Sequence, residues 1–434
     1  MHKDSSDYPR AILHFDGDSF FASVEQALNH TLRGKVVITG GERGAVTAVS
    51  IEGKRLGLGR GLSLREIRRI CPGAVVVSSD YVSYGIFARR MYAIVRRHAP
   101  CVEEYSIDEC FADITGLARK GRSYQDIAQS IHRELEQALG ITFGVGLAPS
   151  KVLAKVASKH RKPGGFTAIP TSEADNYLAS VAIGQVWGIG PAMAQTLNAL
   201  GIKTALEFAA QSPEWLRTNH IAKPYRAIWH ELRGTSVNAV AESLHAVPAS
   251  IIKSRTFSPP TADRAFVYSQ LALNVERACS RARRAGVVAR RVSFFLKTQE
   301  FLYGRVELDL AVATAHPADI LGAIHPRFDA LFRSGVVYRA TGVSLGGLVP
   351  AGAAPLDLFG EGVAALERMP VVERMDKLNR RFGAGTVYAG STMAARLHKA
   401  PERRKRAAMR PSHLEMGITK RRKRLDLPFL GVVQ

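Results

Sequence analysis

The segment Tyr105-Ser106-Ile107-Asp108-Glu109-Cys110-Phe111 sets two carboxylates side by side in the middle of what reads as a β-hairpin. Val102 to Tyr105 and Phe111 to Ile114 have strand character, with apolar and aromatic residues flanking the acids on both sides. Adjacent like charges repel unless a cation lies between them, so the pair asks for a metal ion. Another acid comes early, where the strand-like run Ala11-Ile12-Leu13-His14-Phe15 leads into Asp16-Gly17-Asp18. A strand ending in Asp beside Gly, matched by a hairpin carrying Asp-Glu, is the donor set that two-metal phosphoryl transfer uses. A solvated hairpin tip is the plainer explanation of an Asp-Glu pair. The apolar flanks argue against it.

Charge narrows the partners. Sixty Lys and Arg against 38 Asp and Glu leave a formal +22 on 434 residues, which points to a polyanion. Nucleic acid is the first choice and an anionic membrane surface the second. No apolar run is long enough to span a bilayer, and Met1 to Arg10 is polar with no signal-peptide core, so a cytoplasmic, nucleoid-associated chain is expected. The length exceeds a single compact core and implies three or four domains. Cys71, Cys101, Cys110 and Cys279 lack metal-ligand spacing and read as reduced thiols, which speaks against zinc.

The first half alternates short strands and helices. Strands are expected at 11–16, 36–39, 45–49, 74–77 and 142–146, and helices at 19–28, 64–70, 84–97, 124–139 and 150–160. This predicts an α+β sheet domain interrupted by a small insert around residues 19–78. Val186-Trp187-Gly188-Ile189-Gly190-Pro191, followed by a helix at 192–200, is a different module. Gly188 and Gly190 let the backbone approach a phosphate, as in a helix-hairpin-helix that grips duplex backbone. A plain helix–turn–helix connection is the alternative.

The remainder is strongly basic. Residues 248–350 hold 14 Lys or Arg against 7 Asp or Glu, with Arg281, Arg283, Arg284, Arg290 and Arg291 clustered at a helix end and the next strand. A solvated face is one explanation and phosphate contact the favoured one. Residues 401–424 carry ten basic and two acidic residues with little apolar content, and are expected to form a mobile basic tail.

With these features in hand, the chain resembles the Y-family, or lesion-bypass, DNA polymerases from Ile12 to about Ser391. His14-Phe15-Asp16-Gly17-Asp18-Ser19-Phe20-Phe21-Ala22-Ser23-Val24-Glu25 is similar to the family's first catalytic motif, and Tyr105-Ser106-Ile107-Asp108-Glu109 to its second. Gly144-Val145-Gly146-Leu147-Ala148, followed by residues 150–158, is similar to the third. Val186-Trp187-Gly188-Ile189-Gly190, Lys253-Ser254-Arg255-Thr256-Phe257, Met375-Asp376-Lys377-Leu378-Asn379 and Gly383-Ala384-Gly385-Thr386-Val387 look more like the UmuC branch than the DinB branch.

The resemblance implies an α+β multidomain right hand with a C-terminal little finger and a basic tail. The palm would be 10–18 and 79–168, the fingers 19–78, the thumb 169–240 and the little finger 246–350. A UmuC-like region, 351–434, would follow. It further implies that Asp16, Asp108 and Glu109, with the Gly17 carbonyl, hold two Mg²⁺ ions. Phe21 would be the steric gate against ribonucleotides, with an ordinary core aromatic as the alternative. Phe20, Lys54 and Lys162 would join it at the incoming nucleotide. DinB enzymes carry Tyr and Arg where this chain has Ile51 and Lys54, and a Lys supplies charge without a bidentate clamp. Ser19 also departs from the family's usual residue.

Gly188, Gly190, Lys253, Arg255, Arg290 and Arg291 would contact primer–template DNA. Leu356, Leu358 and Phe359, in Leu356-Asp357-Leu358-Phe359, resemble a sliding-clamp motif with Pro355 in place of its leading Gln. Local packing is the other explanation of that segment, and Leu425-Asp426-Leu427-Pro428-Phe429 is a second candidate. A UmuD-like protein and the recombinase filament are further implied partners.

The implied activity is error-prone synthesis across damaged template. A small fingers domain trades specificity for tolerance of distorted templates. No second acidic constellation suggests an exonuclease, so proofreading is expected to be absent. Two rivals exist. A non-catalytic DNA- and clamp-binding relative would have lost the acids that Asp16, Asp108 and Glu109 supply. A nucleotide cyclase would need neither a helix-hairpin-helix nor this charge.

Overall fold

The computed structural model describes residues 7–41, 46–242, 248–353 and 361–397. The chain divides into two compact units, Met1–Leu244 and His245–Gln434.

The first unit is built around β1 (Ile12–Gly17), whose six residues are all buried. Alternation along the strand serves two cores. Leu13 and Phe15 pack with Phe20, Tyr84, Met91, Ile131 and Leu135 on one face, while Ile12 packs with Val152 and Leu153 on the other. Helix α1 (Phe20–Leu28) follows, then β2 (Val37–Gly40), β3 (Val46–Val49), α2 (Ile51–Arg55), α3 (Leu64–Ile70) and β4 (Val75–Val77). Strands β3, β2 and β4 form a small separate sheet over Ile38, Val49, Leu58 and Ile67. The strands and short helices from β2 to β4 thus have a core of their own, while Phe20 and Val24 of α1 pack with β1. Ser63 and Glu66 close a capping box at the start of α3, worth about 1 kcal/mol.

Helix α4 (Tyr81–Arg96) leads into β5 (Cys101–Ser106) and β6 (Glu109–Asp113). Then come α5 (Tyr124–Leu139), β7 (Phe143–Ala148), α6 (Lys151–His160) and β8 (Phe166–Ala168). The large sheet runs β5-β6-β1-β7-β8, antiparallel except for the β7–β8 pair. It seats β1 at the centre, between the acidic hairpin and β7. Gly144 and Gly146 are needed where α6 crosses β7. A Cβ on Gly146 would lie 2.0 Å from the Ala154 carbonyl, and one on Gly144 2.3 Å from that of Ser158. This close approach brings the lysines of α6 to the sheet edge that carries the acids.

Helices α7 (Ala174–Leu178), α8 (Pro191–Ala199), α9 (Ala205–Ala209), α10 (Pro213–Thr218) and α11 (Lys223–Leu232) complete the unit. Their apolar faces share one core with Ile12, Phe111 and the buried side of α6. Gly188 lies at φ +91°, and a Cβ there would meet Ile228 Cδ1 at 2.6 Å. The turn before α8 therefore demands glycine. Gly190 is the N-cap of α8, and no side chain caps it.

The second unit contains β9 (Ile251–Thr261), α12 (Arg264–Arg284), β10 (Val287–Thr298), β11 (Tyr303–Thr314), α13 (Pro317–Leu331) and β12 (Tyr338–Pro350). Its antiparallel sheet runs β11-β10-β12-β9. Apolar residues of β9, β10 and β12, among them Ile251, Phe294, Leu296, Val343 and Leu345, share a core with Val267, Leu271, Ile320, Ile324 and Phe328 of α12 and α13. Two further helices, α14 (Glu361–Phe382) and α15 (Met393–Leu397), follow. Asp376 accepts from Arg283 Nε at 2.8 Å and from the Ser280 hydroxyl at 2.9 Å. Arg283 also donates to the Ala315 carbonyl and its side chain is 8% exposed. It was expected in a phosphate-contacting cluster. A guanidinium engaged on two sides in a buried site braces the fold instead. Asn379 folds the turn behind it by accepting from Gly385 and Val387 N–H and donating to the Val387 carbonyl. Among the described residues, no helix is long and apolar enough to cross a membrane.

Candidate active site

Register brings the acids together. Asp16 is the Cα partner of Glu109 across β1–β6, and Gly17 N–H donates to the Asp108 carbonyl at 2.9 Å. The β5–β6 pairing shifts register between Glu104 and Ser106, and Asp108 lies in the turn just before β6. A bulge of this kind re-aims side chains at the end of a hairpin. The Ser106 hydroxyl bonds Asp108 Oδ1 at 2.6 Å and lies 3.5 Å from Glu109 Oε2, so two neighbouring carboxylates reach one donor. Tyr92 fixes the turn from below by donating its hydroxyl to the Ser106 carbonyl.

Two lysines neutralise the acids. Lys155 Nζ lies 2.8 Å from Glu109 Oε2, and Lys162 Nζ lies 2.7 Å from Asp16 Oδ1. Burial pushes the Asp16 carboxyl up to about 6; Lys162 opposes the rise, while Glu109 and Asp108 add to it. Asp18 is buried and takes another part. It accepts from Gly164 N–H at 2.7 Å and so holds the Lys162-bearing loop against the end of β1. As the side chains stand, no three His, Cys, Asp or Glu among the described residues are grouped closely enough to hold a metal ion. In this arrangement Lys155 is paired with Glu109, and Lys162 with Asp16 and Asp18. The donor chemistry fits a divalent ion all the same, since Asp16 and Glu109 on paired strands each already hold a cation and Asp108 lies in the adjoining turn.

Lys54 is exposed, and its pKa is lowered, first by partial desolvation and then by Lys162, with Asp18 and Asp16 acting in the opposite sense. Lys54 and Lys162 therefore belong to one charged cluster at the end of β1. Phe21 stacks on Tyr84 with ring centres 4.3 Å apart and meets Tyr81 edge-on at 5.6 Å. The Tyr84 hydroxyl donates to buried Glu25 at 2.9 Å. Phe20 does not share the position of Phe21. Its ring is 3% exposed, sits in the core, and closes on Gly17, where a Cβ would come within 2.7 Å. Its placement does not meet the expected nucleotide contact, because the helix turns successive side chains 100° apart. Ser19, just before it, holds φ +48°, an uncommon conformation for a non-glycine residue.

In the second unit, Lys253 has the strand parity of buried Ile251 and Phe257, and its pKa is lowered by burial and then by Arg281, Arg284 and Arg277. Residues far apart in sequence thus form one basic cluster. Arg291 is exposed but pairs across the sheet with Asp309 at 3.0 Å and Glu307 at 3.4 Å, and Arg290 beside it is exposed. Arg255 borders a cleft with Phe295, Lys297, Phe301, Tyr303 and Arg339. Sequence reading missed this aromatic and cationic group; the exposed Phe301-Leu302-Tyr303 run was its only local signal. Leu356, Leu358 and Phe359 lie outside the described residues, as does the basic segment 401–424.

A family model described as the impB/mucB/samB family matches residues 15–159, and its C-terminal domain model matches residues 248–358. The chain belongs to this family, the UmuC/DinB-type Y-family polymerases. It is a DNA-directed DNA polymerase. DNA polymerase IV of Desulfatibacillum aliphaticivorans is 31% identical over 383 residues, covering 87% of this chain and 95% of that protein. Protein UmuC of Salmonella typhimurium is 33% identical over 401 residues, covering 87% and 93%. The two branches match about equally well. A solved Y-family DNA polymerase chimera superposes with a TM-score of 0.66 at 22% identity, over 78% of this chain and 99% of the chimera, and the insertion ternary complex of Dbh DNA polymerase with 0.56 at 22%, over the same shares. These structures share the polymerase fold.

Proposed function

We propose that the chain is an error-prone translesion polymerase that adds deoxynucleotides to a primer 3′-hydroxyl without proofreading. The observation that carries this reading is the backbone register that sets Asp16 against Glu109 and Gly17 against Asp108. In it, residues 10–18 and 79–168 are the palm, 19–78 the fingers, 169–240 the thumb and 246–350 the little finger.

Asp16, Asp108 and Glu109, with the Gly17 carbonyl, would hold two Mg²⁺ ions. When bound, these supply Lewis-acid activation of the primer hydroxyl and neutralise the triphosphate and the departing pyrophosphate. The chain's own residues do the rest. Lys162 and Lys54 stand where a triphosphate meets the end of β1, and each offers a point charge rather than a fork. Lys162 releases Asp16 as it takes a phosphate oxygen, exchanging one anion for another. Phe21, backed by Tyr84 and Tyr81, presents a rigid ring to the sugar and leaves no room for a 2′-hydroxyl. Gly188 and Gly190 bring main chain close to the duplex backbone, and Lys253, Arg255, Arg290 and Arg291 add phosphate contacts. Leu356, Leu358 and Phe359 dock on a sliding clamp, with a UmuD-like protein and the recombinase filament as further partners.

Primer extension by the purified protein on undamaged and abasic templates tests the reading. Insertion opposite the abasic site, with no excision of a mismatched primer end, is the expected result. Extension that stops at every lesion, or measurable excision, contradicts it.

A further inference from the structure

Trp187 directly precedes the Gly188–Gly190 turn, yet its side chain lies against the acidic hairpin. Its Nε1–H donates to the Tyr105 hydroxyl at 2.8 Å, and the two rings meet edge-on at 5.2 Å. Phe111 lies 5.4 Å from the same indole. Between these rings run the two lysines of α6. Lys155 Nζ is 4.4 Å from the Tyr105 ring centre and 5.3 Å from that of Trp187, while bonded to Glu109. Lys151 Nζ is 4.9 Å from Phe111 and 5.8 Å from Trp187, and bonds Glu103 at 2.7 Å. Both lysines are buried, 5% and 6% exposed.

A buried ammonium is costly unless anions, dipoles or ring faces surround it. Lys155 has one carboxylate and two rings. If Glu109 turns to a metal ion, Lys155 loses its carboxylate and keeps the ring faces of Tyr105 and Trp187. Ring faces hold a desolvated cation more strongly than an exposed one, so their share grows as Glu109 leaves. Lys151 does not face this exchange, because Glu103 stays with it and also accepts from Ala241 N–H at 3.0 Å.

We infer that Trp187 is a positioning residue for Glu109. Through the Tyr105 hydrogen bond and its own ring, it holds Lys155 in place while Glu109 serves a metal ion. It thereby ties the carboxylate to the turn at the duplex backbone. The inference rests on the reading of Glu109 as a metal-holding carboxylate. It assigns a role to an aromatic residue that neither touches substrate nor lies in an acidic motif.

The test uses the full chain with Trp187→Leu, which removes the ring, and Trp187→Phe, which keeps a ring but loses the donor. Single-nucleotide insertion is followed at saturating DNA and deoxynucleotide over a range of Mg²⁺, with duplex affinity measured separately. Trp187→Leu is expected to need about three- to tenfold more Mg²⁺ for half-maximal rate, with duplex affinity changed less than about twofold. Trp187→Phe and Tyr105→Phe break the same hydrogen bond, so the double variant should be no worse than the weaker single one.

A readout independent of turnover comes from 5-fluorotryptophan labelling. The ¹⁹F resonance of Trp187, assigned by its loss in Trp187→Phe, should move when Mg²⁺ is added to the wild type and stay fixed in Glu109→Gln. An unchanged Mg²⁺ requirement with weakened duplex binding would overturn the inference and leave Trp187 to the DNA grip alone. A resonance indifferent to Mg²⁺ in the wild type would do the same. A Glu109→Gln variant that inserts nucleotides at the wild-type rate would instead remove the reading of Glu109, and the inference with it.

Discussion

Lys162 Nζ lies 2.7 Å from Asp16 Oδ1 and 3.5 Å from Asp18 Oδ1, so one ammonium bridges two carboxylates at the end of the central strand. Its loop is tied back to the same place by the Gly164 N–H bond to Asp18. Removing the charge leaves two acids facing each other and takes a cation from the incoming triphosphate. Lys162→Ala should raise KM for deoxynucleotide about tenfold or more. Lys162→Arg should recover most of that loss. Steady-state insertion kinetics on one primer–template check both; equal KM values for wild type and Lys162→Ala would place the triphosphate elsewhere.

Asp16 gives a pH signature that needs no substrate. Its carboxyl is raised from 3.8 to about 6, chiefly by burial, so the folded protein binds that proton more tightly than the unfolded chain does. The stability this supplies is complete below about pH 4 and is lost as pH rises through about 6. Compared with Asp16→Asn, the metal-free wild type should lose about 1.4 kcal/mol per pH unit across that window, about 2–3 kcal/mol in all, and then level off. Urea unfolding of both proteins from pH 4 to 8 measures the difference. A difference that is flat with pH would mean that Asp16 is ionised as easily as in water.

Phe21→Ala should raise ribonucleotide insertion by about a hundredfold or more while lowering deoxynucleotide insertion only modestly, because the ring blocks a 2′-hydroxyl by volume alone. Tyr84→Leu removes the ring on which Phe21 stacks at 4.3 Å and should give the same change at smaller amplitude. Competition between ribo- and deoxynucleotides on one template checks the pair. Unchanged discrimination in Phe21→Ala would move the gate to another residue, and Phe20, buried against Gly17, is a poor successor.

Deleting Pro355 to Phe359 should abolish stimulation by a sliding clamp and leave distributive synthesis on short primers intact. A Leu-x-Leu-Phe segment would dock by filling apolar pockets on its partner. Stimulation that survives the deletion would point to residues 425–429 instead.

The acids were legible in the sequence because their neighbours are apolar. The strand ending at Asp16 and the hairpin around Asp108-Glu109 lie where they were expected, to within a residue at most boundaries. Helix α5 was read to the residue, since its period is clean and Ser123 with Asp126 caps it. What stayed hidden depends on contacts between distant segments. Nothing local shows that Arg283 spends its charge on Asp376 rather than on phosphate. Lys155 and Trp187 sat inside quoted motifs, but their meeting over Tyr105 comes from the packing of α6 on β7. Phe20 and Phe21 look alike in sequence. Only the turn of α1 separates a core side chain from one at the site.

Asp16, Asp108 and Glu109 are proposed to form one metal-dependent polymerisation site. Asp108→Ala tests it most directly, because this side chain bonds Ser106 in the hairpin turn and is paired to neither lysine in the way Glu109 and Asp16 are. Primer extension and duplex affinity should be measured on the same preparation at saturating Mg²⁺ and deoxynucleotide. Extension reduced at least about a thousandfold, with duplex affinity within about threefold of wild type, is the expected result. Extension near the wild-type rate by a well-folded Asp108→Ala protein would contradict it.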